Sequence, residues 1–201
     1  MDKNVVFDFD ETIGYFEQII EMIKYTKKTS KMEVFELFTL FPLVFRTNIF
    51  DIFYFIVRLK KEKKIKSVIL YSNNNNDLFI DYVISFIHEK LNYRLFDSSI
   101  SLNQTHNKNK NLTDLLNYSN GLLSKNSSIF FVDDKEYDDM KMIKSYIKCE
   151  SYKYIYSNSV IQNKLNINLP TAHDKIISQS IHALISKEII NKLRLFVLIN
   201  I

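Results

Sequence analysis

Three short apolar, β-branched runs, at residues 4–9, 67–71 and 129–132, each break off abruptly into polar or acidic residues. Strands buried on both faces of a parallel sheet have this pattern. Between the runs the apolar residues take helical spacing: Phe16, Ile19, Ile20 and Ile23; Ile49, Phe53, Ile56 and Val57; Phe79, Val83, Phe86 and Ile87. Strands alternating with helices predict an α/β fold, a three-layer sandwich whose central, mainly parallel sheet carries helices on both faces. Residues 93–96 and 152–156 are expected to add strands. Ile176, Ile177, Ile181, Leu184, Ile185 and Ile189 predict an amphipathic carboxy-terminal helix over 174–199 whose stripe faces the core. The segments 103–111 and 118–128, rich in Asn, Lys and Ser, read as loops. Neither a repeat nor a linker interrupts the 201 residues, which predicts a single domain over 1–201.

Composition excludes more than it suggests. A formal net charge of +4 favours an anionic substrate and falls short of a nucleic-acid-binding stripe. Cys149 is the sole cysteine, so it cannot form an internal disulfide and has no companions for a metal site; an inert thiol in a reducing compartment is expected. The opening Met1-Asp2-Lys3-Asn4 runs straight into a strand without a signal-peptide pattern. Arg46, Asn48 and Asp51 interrupt the apolar stretch 35–59, and 195–201 is too short to span a bilayer. A soluble intracellular protein without membrane contact is the expectation. His88, His106, His173 and His182 lack metal-ligand spacing, and no Gly-rich phosphate loop is present. The basic run 58–64 reads as a hydrated helix end.

Chemistry is suggested where the strands stop. The first run ends in Asp8-Phe9-Asp10-Glu11-Thr12, two carboxylates one residue apart, at the kind of strand end where open α/β sheets bind ligands. Asp8 is placed to attack phosphorus, and Asp10 to protonate the leaving oxygen and later deprotonate water. The alternative is that these acids cap a helix beginning near Ile13. The second run ends in Ser72-Asn73, whose hydroxyl and amide could hold phosphoryl oxygens, although the run of four asparagines, Asn73 to Asn76, has a compositional explanation as well. Lys110, with Lys108 as its rival, could neutralise phosphoryl charge. The third run ends in Asp133-Asp134, which could join Asp8 around Mg²⁺ or simply start an acidic turn.

Taken in order, these four motifs resemble those of the haloacid dehalogenase superfamily of phosphatases. Within it the chain is most similar to the phosphatases of the RNA polymerase II C-terminal domain, whose Asp-Leu-Asp-Glu-Thr is matched by Asp8-Phe9-Asp10-Glu11-Thr12. Residues 45–53 resemble that family's Arg-Pro-Gly segment with the Pro and Gly missing, and Lys110-Asn111-Leu112 resembles its Lys-Asp-Leu. The resemblance implies Mg²⁺ held by Asp8, the Asp10 carbonyl and Asp133 or Asp134, with Thr12, Ser72, Asn73 and Lys110 around the phosphate. It implies a Mg²⁺-dependent phosphatase, and the short span between Asp10 and Ser72 implies no large cap, hence an open site suited to phosphoserine or phosphothreonine in a protein tail. The alternatives are a phosphatase for small metabolites or nucleic-acid ends, and an inactive binding protein on the same fold. Stable nucleic-acid binding is not expected.

Overall fold

The computed structural model describes residues 2–167 and 179–198. The first half runs β1 (Lys3–Phe7), α1 (Glu17–Thr26), α2 (Lys31–Leu40), a 3-10 turn (Pro42–Val44), α3 (Ile49–Lys61), β2 (Ser67–Tyr71) and α4 (Asp77–Leu91). The second half runs β3 (Ser98–Ile100), α5 (Leu102–Thr105), α6 (Leu112–Tyr118), β4 (Ser128–Asp133), a 3-10 turn (Asp138–Met140), β5 (Ser145–Lys148), α7 (Asn158–Leu165) and α8 (Gln179–Leu198). All five strands are parallel, in the order β3-β2-β1-β4-β5. From β1 the chain therefore builds outward on one side and then returns to build on the other. The strand order reverses between β1 and β4, the crevice where such sheets bind ligands. Phe7 pairs with both Leu70 and Val132, so Asp8, Tyr71 and Asp133 end three adjacent strands at one level.

Alternation along the strands divides the core in two. Val5, Phe7, Val68, Leu70, Phe130 and Val132 face one layer, together with buried residues of α1 to α4, α7 and α8. This thick layer is aromatic: the Phe16 ring stacks 4.9 Å from Phe9 and meets Phe45 and Phe79 edge-on at 5.4 and 5.8 Å. Val6, Ile69, Tyr71, Ile100 and Phe131 face a thinner layer closed by Leu115 of α6, Leu123, Met140 and Ile143. The helices α1 and α2 bury Ile19, Met22, Val34, Phe35, Leu37 and Phe38 in the thick layer. They belong to the body of the fold.

Several elements differ from expectation, each because backbone donors found other acceptors. Residues 93–96 form no strand: Phe96 N donates to His88 Nε2 (3.1 Å), and β3 begins only after the Asp97 carboxylate has taken Val68 N (2.8 Å). Residues 152–156 form none either, since Tyr152 N donates to Glu11 O (2.7 Å) and Tyr156 N to Gln18 Oε1 (2.8 Å). The edge strand beside β4 is β5, largely half-buried and polar at both ends. The helix α2, with its Ser30–Glu33 capping box, was not expected, and the segment read as a loop at 103–111 contains most of the single-turn α5. Residues 119–127 do lack regular secondary structure.

At the carboxyl end, Ile176 and Ile177 of the expected helix, like His173, lie outside the described residues. Within α8, Ile189, Leu193 and Phe196 are buried, but Ile181 and Leu184 are 51% and 65% exposed. The buried stripe continues instead through His182 and Ser186, because both find polar partners: Arg46 beside His182 Nδ1 (3.4 Å) and Thr47 O for the Ser186 hydroxyl (2.6 Å). No described helix is long and apolar enough to cross a membrane.

Candidate active site

Asp8 and Asp133 leave adjacent strands at the crevice, and Lys110 reaches them from the loop before α6. Its ammonium donates to Asp8 Oδ1 and to Asp133 Oδ2 (2.7 Å), and it is only 1% exposed. The rings of Tyr71, Phe131 and Tyr137 surround the ammonium at 5.6, 5.8 and 5.6 Å. Lys108 is exposed and contributes only its carbonyl, to Asn73, so Lys110 is the lysine of the site. Burial by itself would lower the pKa of Lys110, but the charges of Asp8 and Asp133 more than reverse this and raise it. Burial raises the pKa of Asp133, and the neighbouring Asp8 raises it further, against the pull of Lys110.

Asp134 completes the acidic group. One carboxylate oxygen from each of Asp8, Asp133 and Asp134 lies within 4.8 Å of the others. Thr12 serves this group: its hydroxyl accepts from Asp134 N (3.0 Å) and contacts Asp134 Oδ1 (3.5 Å). Ser151 donates to Asp134 Oδ2 (2.7 Å), and Lys135 N to Asp133 Oδ1 (2.8 Å). Three carboxylates against one ammonium leave an excess of negative charge, and hard oxygen donors so arranged suit a divalent cation such as Mg²⁺. The Asp10 side chain is not part of this cluster.

Asp10 stands apart because the chain turns sharply after it. Glu11 takes a left-handed conformation (φ 60°), its N–H returns to Gly14 O (2.7 Å), and helix α1 starts only at Glu17. The acids therefore do not cap a helix near Ile13. Gly14 is required here, since a Cβ would lie 2.3 Å from Val44 O. Asp10 Oδ2 accepts from Asn74 Nδ2 (3.0 Å). Burial pushes Asp10 up to about 6, opposed by this hydrogen bond and reinforced by the charge of Asp8.

Ser72 and Asn73 act on their neighbours. The buried Ser72 hydroxyl accepts from Asn74 N (2.9 Å), while Asn73 Nδ2 bridges Lys108 O (2.7 Å) and the Tyr137 hydroxyl (3.1 Å). The asparagine run is more than compositional: Asn74 holds Asp10, and the Asn76 side chain caps α4 at Phe79 N (3.1 Å).

The residue the motifs undervalued is Arg46. It is 1% exposed, and its guanidinium donates to the carbonyls of Thr12 (2.6 Å), Glu11 (2.6 Å) and Glu150 (2.7 Å) while facing the Tyr152 ring. It thereby ties the turn after Asp10 to the segment after β5. An arginine in the middle of the most apolar stretch of the chain was the available signal, because such a residue is buried only with partners. Cys149 is buried beside it, and burial pushes its thiol up to about 11, which agrees with the expected inert thiol. No family model, curated protein or solved structure matches this chain.

Proposed function

We propose that this protein is a Mg²⁺-dependent phosphoric monoester hydrolase of the haloacid dehalogenase type. The observation that carries this reading is the meeting of Asp8, Asp133, Asp134 and Lys110 where the strand order reverses. A structural ion pair needs one acid for one lysine. Here the donor set retains negative charge after Lys110 is counted, and Asp8, Asp133 and Asp134 would hold the metal. When bound, the ion supplies positive charge to the phosphoryl oxygens.

The protein's own groups account for the bond changes. The Asp8 carboxylate attacks phosphorus and the ester P–O bond breaks, leaving an aspartyl phosphate. Asp10 gives its proton to the departing oxygen. It then takes a proton from the water that cleaves the aspartyl phosphate, which releases phosphate and restores Asp8. Lys110 orients Asp8 and offers charge to the group in transit. With its pKa carried to about 6, Asp10 is closer to neutrality than an exposed aspartate, which suits an acid that must also serve as a base.

The packing of α1 and α2 into the thick layer supports an open site without a large cap. An open site suits a phosphorylated serine or threonine on a flexible protein segment. The test compares wild type and Asp8→Asn on p-nitrophenyl phosphate, with Mg²⁺ and with EDTA. Wild type should turn over only with the metal, and the substitution should lower the rate by about 10³-fold or more. Equal background rates would overturn the reading in favour of a binding role. Phosphopeptides should then be better substrates than sugar phosphates or nucleotides; the reverse order would make this a metabolite or nucleic-acid-end phosphatase.

A further inference from the structure

We propose that Asn74 is a positioning residue for the proton donor: it fixes the Asp10 carboxyl group so that Oδ1 carries the proton delivered to the leaving oxygen. The proposal rests on the phosphatase reading above and adds a residue to it. Asn74 is itself held at three points. Its N–H donates to Ser72 Oγ (2.9 Å), its carbonyl accepts from Leu102 N (3.1 Å), and its side-chain Oδ1 accepts from Asn76 N (2.9 Å). With Oδ1 taken by a backbone donor, the amide cannot be flipped without placing two donors face to face. Nδ2 must therefore be the atom directed at Asp10 Oδ2, 3.0 Å away.

With Oδ2 occupied by the Asn74 N–H, Oδ1 is the carboxyl oxygen left to exchange a proton with the leaving group. From there the proton passes to the ester oxygen as the bond to phosphorus breaks and the Asp8–phosphorus bond forms. The same oxygen receives the proton of the attacking water in the second step, so charge and atoms balance over the cycle. This also assigns a use to the buried Ser72 hydroxyl, which holds the backbone of Asn74.

A leaving-group series tests the proposal. A p-nitrophenolate departs without a proton, whereas a phenolate needs one. Asn74→Ala should lower kcat/KM for phenyl phosphate about 10-fold or more and for p-nitrophenyl phosphate by less than about 3-fold. Asn74→Asp, which keeps the acceptor for Asn76 N and removes the donor facing Asp10, should show the same selective loss and guards against a failure of Asn74→Ala to fold. Asp10→Asn calibrates the series with the largest difference between the two esters. If Asp10→Asn discriminates between them and both Asn74 variants lower the two rates equally, or not at all, Asn74 has no such role while the phosphatase reading stands. If wild type hydrolyses neither ester with Mg²⁺, the reading itself fails and the inference with it.

Discussion

Arg46 and Lys110 are both buried cations beside the same crevice, and they sit in opposite surroundings. Arg46 comes from the thick, helix-rich side and is satisfied by main-chain carbonyls of Thr12, Glu11 and Glu150. Lys110 comes from the thin side and is satisfied by two carboxylates, Asp8 and Asp133. A planar fork of five donors can bind three carbonyls from separate segments, whereas an ammonium acts as a point charge between acids. The two cations thus separate a fixed scaffold from a titratable one. Carbonyls do not titrate, so the Arg46 region is fixed; carboxylates do, so the Lys110 region responds to protons and, on the proposed function, to metal and substrate.

The largest effect should come from removing the fixed cation. Arg46→Met leaves the buried carbonyl of Thr12 and the part-buried carbonyls of Glu11 and Glu150 without their charged donor and should cost about 3–5 kcal/mol, read from urea denaturation. Arg46→Lys should recover less than half of that loss, because one ammonium cannot span the three carbonyls.

Lys110→Met should lower phosphatase kcat by about 10²–10³-fold, or roughly 2.7–4 kcal/mol of transition-state stabilisation. Its stability loss should depend on pH. Asp133 already has a raised folded-state pKa, so the folded protein holds more protons than the unfolded chain above the unfolded aspartate value of about 3.9. Acidification towards that value therefore favours folding, and the deficit of Lys110→Met should shrink from about pH 8 to about pH 5 as the unpaired acids take up protons. The deficit of Arg46→Met should change less over that range, through His182, whose pKa burial and the neighbouring Arg46 both lower. Parallel deficits in the two variants would erase the distinction between the regions.

Gly14→Ala tests the turn that Arg46 holds. The added Cβ would meet Val44 O at 2.3 Å, closer than any real contact. The expected cost is about 1–3 kcal/mol, measured as a fall in the urea midpoint, with a smaller fall in activity than Lys110→Met.

The same contrast explains what could be read from the residues. β1, β2 and β4 were legible because burial on both faces forces continuous apolar runs, and Asp8, Asp10 and Asp133 were legible because those runs end on them. The edge strand β5 was not, since its half-buried residues alternate with nothing distinctive. Lys110 could be chosen over Lys108 only through a motif, because burial is a property of the folded loop. Arg46 and Asn74 act through hydrogen bonds to segments distant in sequence, which no local pattern encodes. Thr12 and Ser72 were found by position, and their contacts with Asp134 and Asn74 became visible only in the fold.

The smallest effect comes from a histidine outside both regions, and it sharpens the pH comparison. His88 Nε2 accepts from Phe96 N (3.1 Å), and burial, with Arg94 and Lys60 nearby, lowers its pKa to about 4. Between that value and the unfolded value of about 6.5, the folded protein binds fewer protons at this site than the unfolded chain. Stability from His88 is thus present above about pH 6.5 and is lost as pH falls towards the folded value, the opposite sign to the raised acids of the crevice. His88→Gln removes the titration while keeping an acceptor for Phe96 N. In that background the urea midpoint should decline less on acidification from about pH 7 to about pH 5, and the midpoint of the Lys110→Met, His88→Gln double variant should do so too relative to Lys110→Met alone, while the deficit caused by Lys110→Met is the same in both backgrounds. An unchanged pH slope in His88→Gln would mean that the opposing signs at His88 and the acid cluster are wrongly assigned.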